Sequence, residues 1–408
     1  MSARAVASQR WLVATTEYAG VTAYTGGIGR HYASLLPALV RLGVDVDVVV
    51  LSESPLNPDA RLDGVRLVAS EQVPSGTGIA AFRRRAKRVA EAYARAAYDR
   101  VFLPEWNALG TELPRKAPLL TNLATSMRLS NEVSGFRLRD FPPQRRASIV
   151  LQNRLETRQI ERSAGLVPIS EAMLEWTATN FRRIPRAVVV RNCIDVDVIR
   201  DAAERSDLPA GWPTGDAPVV LFLGRLERRK GVEDAMRAFG QLSARFPTTR
   251  LVLAGSSGDA RFEPDRAELL SWVPPSARER VVWLGHVAGD ELYRGIRAST
   301  VAMCPSRWEG FGNVALEVKA TGTPLVVTHG SGYDDFCTDG LDCLMVPPAA
   351  PDRLAEALQR VLEDIGAAAT RARRALEQIG RFAPDPVAAS LVAAADTLLA
   401  PPGHWPAH

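Results

Sequence analysis

Long apolar runs are missing from this 408-residue chain: no stretch approaches the ~20 residues that a membrane-crossing helix needs. The N-terminus lacks the basic, apolar and small-residue succession of a secretory signal. Cysteine is scarce. Cys193, Cys304, Cys337 and Cys343 form no Cys-x-x-Cys pair and have no histidine at metal spacing, which argues against a disulfide scaffold and a thiolate zinc site. An excess of one charge is missing too: 50 Lys and Arg against 46 Asp and Glu leave +4, which points to neither nucleic acid nor a membrane surface. These absences predict reduced thiols, no bound metal, no nucleic-acid partner, no integral membrane segment and a cytoplasmic location. Lysine is rare as well: only Lys87, Lys116, Lys230 and Lys319 stand against a background of arginine.

What is present is ordinary for a globular protein, 46% hydrophobic and 24% charged residues, at a length that predicts two domains. Residues 11–15 read as a strand, Gly26-Gly27-Ile28-Gly29 as a turn, the residues from Arg30 as an amphipathic helix closed by Gly43, and 44–51 as a second strand. This is the first unit of a doubly wound α/β domain. Its loop suits a dinucleotide except that Tyr32 replaces the third glycine, with Glu53 near the place of a ribose-binding acid. A tight turn without ligand stays open beside that reading. Residues 79–98 predict a basic helix, solvated or docked on anionic lipid through 82–88. The strand 101–103 carries Glu105, Trp106 and Asn107 at its carboxyl edge, where open α/β sheets bind ligands. The strand 119–123 leads to Ala124, Thr125 and Ser126. Residues 128–146 predict an irregular, lid-like loop, and 206–218 a linker or the edge of the second domain.

Two further stretches carry chemistry. Residues 305–324, PSRWEGFGNVALEVKATGTP, lie between an apolar run and a helix stop at Gly322-Thr323-Pro324. Glu309 opens the loop Gly310-Phe311-Gly312, and a helix starting near Asn313 carries Glu317. A strand, a glycine loop and a helix N-terminus aim backbone N–H groups at an anion; two flanking carboxylates accept hydrogen bonds from sugar hydroxyls. The other stretch, Gly224-Arg225-Leu226-Glu227-Arg228-Arg229-Lys230-Gly231, follows the strand 219–223. An arginine fork and an ammonium converging there suit a diphosphate without a metal.

The spacing Glu309-Gly310-Phe311-Gly312 to Glu317, then Gly322-x-Pro324, together with Gly224-Arg225-Leu226 and Lys230-Gly231, resembles the signature of the family 4 retaining glycosyltransferases. The resemblance covers nearly the whole chain, strongly from 224 to 324 and weakly from 52 to 163. It implies the α/β GT-B fold, with two Rossmann-like doubly wound domains facing a central cleft. Residues 1–196 would bind acceptor, 197–385 the nucleotide sugar, and 386–408 would cross back to the first domain. It implies retaining, metal-independent transfer of a hexose or hexosamine from a nucleotide-diphosphate sugar to a hydroxyl, with no cofactor. Arg225, Lys230 and Glu309 would form the catalytic set, the first two on the diphosphate and Glu309 on the donor sugar. Glu317 would hold the ribose and His286 and Val287 the base. Gly27, Gly29, Gly224, Gly310, Phe311, Gly312, Asn313 and Val314 would complete the donor site, and Glu105, Trp106, Asn107, Asn122 and Ser126 the acceptor site.

The acceptor (a carbohydrate, a natural product or a lipid-linked sugar) stays open, as does the base, with a UDP-sugar favoured because it is common. A homodimer is admitted. Ala124 and Thr125 depart from the family's His-Asp pair, Cys193 from a glycine, and 331–335 from a Pro-Glu. Those departures keep a non-catalytic partner subunit among the readings. A GT-B sugar-nucleotide epimerase and an NAD-linked dehydrogenase, the latter resting on Gly27 and Gly29, stay open beside it.

Overall fold

The structure, a computed structural model, describes residues 9–74, 78–259, 263–287 and 289–401. The end of the predicted 386–408 element, 402–408, lies outside them. The chain divides into two compact units, one of residues up to Ile194 plus those from Phe382, the other Asp195–Arg381.

In unit 1, the strands β1 (Arg10–Thr15), β2 (Asp45–Ser52), β3 (Arg66–Gln72), β4 (Arg100–Pro104), β5 (Leu119–Leu123) and β6 (Gly165–Pro168) form a parallel sheet in the order β3-β2-β1-β4-β5-β6. Its helices are α1 (Gly27–Arg41), α2 (Ile79–Tyr93), α3 (Met127–Val133), α4 (Pro143–Arg162) and α5 (Glu171–Asn180). The two-residue period of a strand sorts β1 between two cores. Trp11 and Val13 pack with Tyr32, Leu35, Leu36 and Phe102, while Leu12 and Ala14 pack with Val89, Ala92 and Leu103. Each such large side chain stabilises the unit by roughly 1.5–3 kcal/mol through its burial. A sheet covered on both faces is what apolar strands joined by helices must build.

Unit 2 repeats the plan. Its helices are α6 (Val196–Arg205), α7 (Val232–Arg245), α8 (Arg266–Ser271), α9 (Gly289–Ala298), α10 (Asn313–Thr321), α11 (Pro351–Glu363) and α12 (Ile365–Gln378). The strands β7 (Val219–Leu223), β8 (Arg250–Ala254), β9 (Val281–Gly285), β10 (Val301–Cys304), β11 (Leu325–Thr328) and β12 (Leu344–Val346) run in the order β12-β11-β10-β7-β8-β9, again all parallel. In each sheet the winding reverses beside the first strand, at β1/β4 and β7/β10. Ligand sites of such sheets form there, outside the carboxyl ends.

The last described helix, α13 (Pro384–Leu399), belongs to unit 1, as the resemblance implies. Its Ala388, Leu391, Ala395 and Leu398 join the core beneath α1. A Cβ added at Gly165 would lie 2.7 Å from Leu398 Cβ, so the glycine lets the helix rest directly on β6. Among the described residues no single helix is long and apolar enough to cross a membrane.

Two expectations are corrected. The predicted loop 128–146 holds α3, capped by Ser126 accepting from the Leu129 N–H at 3.1 Å, and the start of α4 at Pro143. Arg146 fastens the turn between them by donating to the carbonyls of Phe141 (2.6 Å) and Arg139 (2.8 Å). The basic helix ends at Tyr93 rather than Tyr98. Residues 206–218, read as a linker or the edge of the second domain, belong to unit 2, where Pro209 and Trp212 close over Gly295.

Candidate functional site

The switch point of unit 2 gathers the charged residues of the two singled-out stretches. After β7 the chain turns at Gly224 (φ +139), against which the next strand's loop packs so closely that a Cβ on Gly255 would sit 1.8 Å from the Gly224 carbonyl oxygen. Arg225 is half-exposed and held by Glu227 at 2.8 Å, which also takes Arg229 at 3.2 Å. Gly231, at φ +74, then starts α7. Lys230 turns back and forms an ion pair with Glu309, which also accepts from Ser306 Oγ at 2.7 Å. The Arg307 N–H donates to the Arg229 carbonyl at 2.8 Å. The loops after β7 and β10 are therefore bonded to each other.

The glycine loop is propped from below. Gly312 (φ +101) opens α10, and a Cβ there would meet the Tyr333 ring at 2.2 Å. The Gly332 N–H donates to the Glu309 carbonyl at 3.0 Å. The segment that departs from the family's Pro-Glu is thus the support of the Glu309 loop. Phe311 turns its ring inward against Phe336, with centroids 5.0 Å apart, so its side chain serves the core. Gly310, Asn313 and Val314 are half-buried around it, and Glu317 stands one helical turn after Asn313, buried. His286 is exposed and Val287 half-buried just after β9, on the same carboxyl edge of the sheet.

Burial pushes both partners of the Lys230–Glu309 pair toward their neutral forms. For Glu309 the nearby Lys230 and Arg229 and the bonds from Lys230 and Ser306 outweigh burial and hold the carboxyl below its usual range. For Lys230 burial is the larger effect, so its ammonium sits below the usual lysine range despite Glu309. The result is a desolvated cation fixed at a strand end, the placement that stabilises charge developing on a leaving group.

The unit 1 switch point differs from expectation. Glu17, just past β1, caps α1: its carboxylate accepts from the Gly26 N–H at 2.7 Å and the Gly29 N–H at 3.1 Å. The Gly29 N–H therefore serves Glu17, and a Cβ added there would meet Thr25 and Glu17. Gly27 is exposed at the helix start. Tyr32 is buried, with its hydroxyl donating to Asn122 Oδ1 at 3.1 Å, and Asn122 Nδ2 donates to the Val167 carbonyl at 3.0 Å. Asn122 thus ties α1 to the sheet through β5 and β6. Ser126 is buried as the α3 cap, and Glu105 is buried with Oε2 accepting from the Ala124 N–H at 3.0 Å. Both use side-chain oxygens for bonds inside the unit. Trp106 and Asn107 line a cavity of about 370 Å³ together with Glu17, Glu53 and Arg85. Among the described residues no group of acids, cysteines and histidines is placed to hold a metal ion.

Several of these partners escaped the sequence. Glu17 and Glu227 stand at strand ends, where an acid facing a glycine loop or an arginine is a readable signal. Glu156 gave none. From α4 it accepts from the Asn107 N–H (3.1 Å), Gln152 (2.7 Å) and the Met127 N–H (2.8 Å), holding Asn107 in a left-handed conformation at φ +63. Burial raises Glu156 to about 7 and, with Glu156 adding repulsion, Glu105 to about 8. Above pH 6.5 the unfolded chain has ionised both carboxyls while the folded unit still retains protons, so stability falls as pH rises toward 8. His31, lowered to about 4 by burial, acts oppositely but only below 6.5. Unfolding free energies from denaturant titrations at pH 6.5 and 8 are expected to differ by on the order of 1–2 kcal/mol, and the pH slope should vanish in the Glu105→Gln, Glu156→Gln double variant.

Known proteins match both halves. Residues 25–198 fit the family model described as Glycosyltransferase Family 4, and residues 217–364 that described as Glycosyl transferases group 1. Glycogen synthase from Mycobacterium tuberculosis is 29% identical over 406 residues, spanning 91% of this chain and 90% of its own. Among solved structures, sucrose-phosphate synthase from Thermosynechococcus elongatus has a TM-score of 0.75 at 21% identity, covering 94% of this chain and 98% of that one. Anabaena HepE in complex with UDP has a TM-score of 0.66 at 16% identity over 94% of this chain and 98% of its own. At those identities the two structures speak for the fold alone, while the matched families speak for the chemistry. An enzyme of two Rossmann-like sheets whose halves both match glycosyltransferase models, the chain belongs to the family 4 glycosyltransferases of the GT-B fold.

Proposed function

We propose that the chain transfers a hexose or hexosamine from a nucleotide-diphosphate sugar, UDP favoured, to an acceptor hydroxyl with retention and without a metal. The observation that carries this reading is the Lys230–Glu309 pair at the β7/β10 switch point, with Arg225 beside it. The ammonium and guanidinium supply positive charge for a diphosphate leaving group, and Glu309 accepts from donor-sugar hydroxyls. As the C1–O bond breaks, its electron pair passes to the phosphate oxygen. The acceptor oxygen bonds to C1 on the same face, and its proton goes to the leaving phosphate. Glu317 takes the ribose hydroxyls. The acceptor occupies the unit 1 cavity beside Trp106 and Asn107. Four buried cysteines, none in a disulfide, support a reducing, cytoplasmic setting.

Binding of UDP, GDP, ADP and NAD to the purified chain, with chelator present, tests the donor. One nucleoside diphosphate is expected to bind. Arg225→Ala should weaken it about tenfold or more, in line with loss of a charge-assisted hydrogen bond. Glu317→Ala should weaken the diphosphate but not inorganic pyrophosphate. Binding of NAD alone, or of none of the four, overturns the proposal.

A further inference from the structure

The cavity of unit 1 carries a charge pattern that bears on its occupant. Four charged groups line it: Glu17, Glu53, Arg85 and Arg145. Formally they cancel. Arg85, on α2, is almost wholly buried (2% exposed), and its guanidinium is held at 2.5 Å by Glu53, which follows β2 and keeps half of its side chain exposed. Glu17 spends its two oxygens on the N-terminus of α1. Arg145 is exposed at the wall. Behind the wall, Glu156 holds the backbone of Asn107 and Met127 and the amide of Gln152, which all line the same cavity.

A buried arginine facing a cavity is the natural fork for a phosphate. Here a carboxylate already pairs with that guanidinium, through Arg85 Nη2 and Glu53 Oε1. A phosphorylated sugar entering would meet Glu53 and Glu17 at short range and would have to displace Glu53 from Arg85. A sugar hydroxyl, by contrast, donates to the exposed side of Glu53 without disturbing the pair. Trp106, on the lining, supplies an indole suited to stacking on a pyranose ring, and about 370 Å³ is the low end of the range of small-molecule sites. We infer that this cavity takes an uncharged, polyhydroxylated acceptor of one or two sugar rings, and that Glu53 is the residue that rejects phosphorylated ones. This rests on the proposed transferase reading and names the acceptor class for it. Rejection by a placed like charge is how a site excludes a competitor that its attractive contacts would tolerate.

The test compares D-glucose, maltose and glucose 6-phosphate binding to the intact wild-type chain and to Glu53→Gln, which keeps the side chain's shape and leaves Arg85 in place. Wild type is expected to favour the neutral sugars over glucose 6-phosphate by about tenfold or more, and Glu53→Gln to move that ratio toward the phosphate by about tenfold, the scale of one close charge contact. Preference of the wild type for glucose 6-phosphate, an unchanged ratio in the variant, or binding of none of the three sugars overturns the inference. Binding of UDP, GDP and ADP, measured in the same samples, reports on unit 2 separately. Sugar selectivity without binding of any nucleoside diphosphate sinks the transferase reading and leaves the cavity's selectivity standing; nucleoside diphosphate binding without the selectivity does the reverse.

Discussion

Lys230→Ala is expected to lower donor-dependent turnover by about 10²–10³-fold, the usual loss when one preorganised group facing developing charge is removed. The size follows from placement. Lys230 is one of four lysines, sits in the turn between buried β7 and α7, and is desolvated against Glu309. Removing it also leaves Glu309 buried at 9% exposure without its cation, so stability should fall as well. The two effects separate in a double variant. Lys230→Ala with Glu309→Gln should recover most of the lost thermal stability and none of the turnover. Steady-state kinetics and thermal unfolding on the same preparations decide it. Turnover within about threefold of wild type would remove Lys230 from the catalytic set, because a charge-assisted contact to a diphosphate is worth more than that.

The second large effect is expected from Gly231→Ala, a change of one methyl group. The position has φ +74, where an L side chain is strained, and the added Cβ would lie 2.0 Å from the Pro305 carbonyl oxygen. Backbone faces backbone there, so no rotamer change relieves the contact. Either the turn after β7 or the strand end after β10 must move, and these two carry Lys230 and Glu309. Unit 2 should lose more than about 2 kcal/mol by denaturant unfolding, and nucleotide binding should be lost with it. Gly340→Ala is the control: it has φ +70 but open space around its Cβ, and should cost only the backbone strain of about 1 kcal/mol. Equal losses in the two variants would show that the Pro305 contact is not tight.

Where the resemblance is strong, local pattern is enough to draw the elements. The strands 219–223, 301–304 and 325–328 coincide with β7, β10 and β11, because parallel strands buried on both faces are short, unbroken apolar runs bounded by glycine and proline. The weak region from 52 to 163 reads less well for a physical reason. β3 lies at a sheet edge and is half-exposed, so RLVASEQ carries no apolar run, and α3 begins on a serine cap within a stretch whose composition looks irregular.

The sequence by itself determined the two doubly wound units, the glycine turns that start α7 and α10, and which residues carry charge at the strand ends, since strand burial, helix stops and turn chemistry are local properties. Only the tertiary structure decided which of those charges meet. Lys230 finds Glu309 across 79 positions, Arg85 finds Glu53 across 32 and Asn107 finds Glu156 across 49. The same long-range packing withdrew Glu105, Asn122 and Ser126 into the interior. No period or spacing encodes such pairs, because they depend on how the strands are ordered across the sheet, and a carboxylate reads alike in sequence whether it will face solvent, a guanidinium or a backbone N–H.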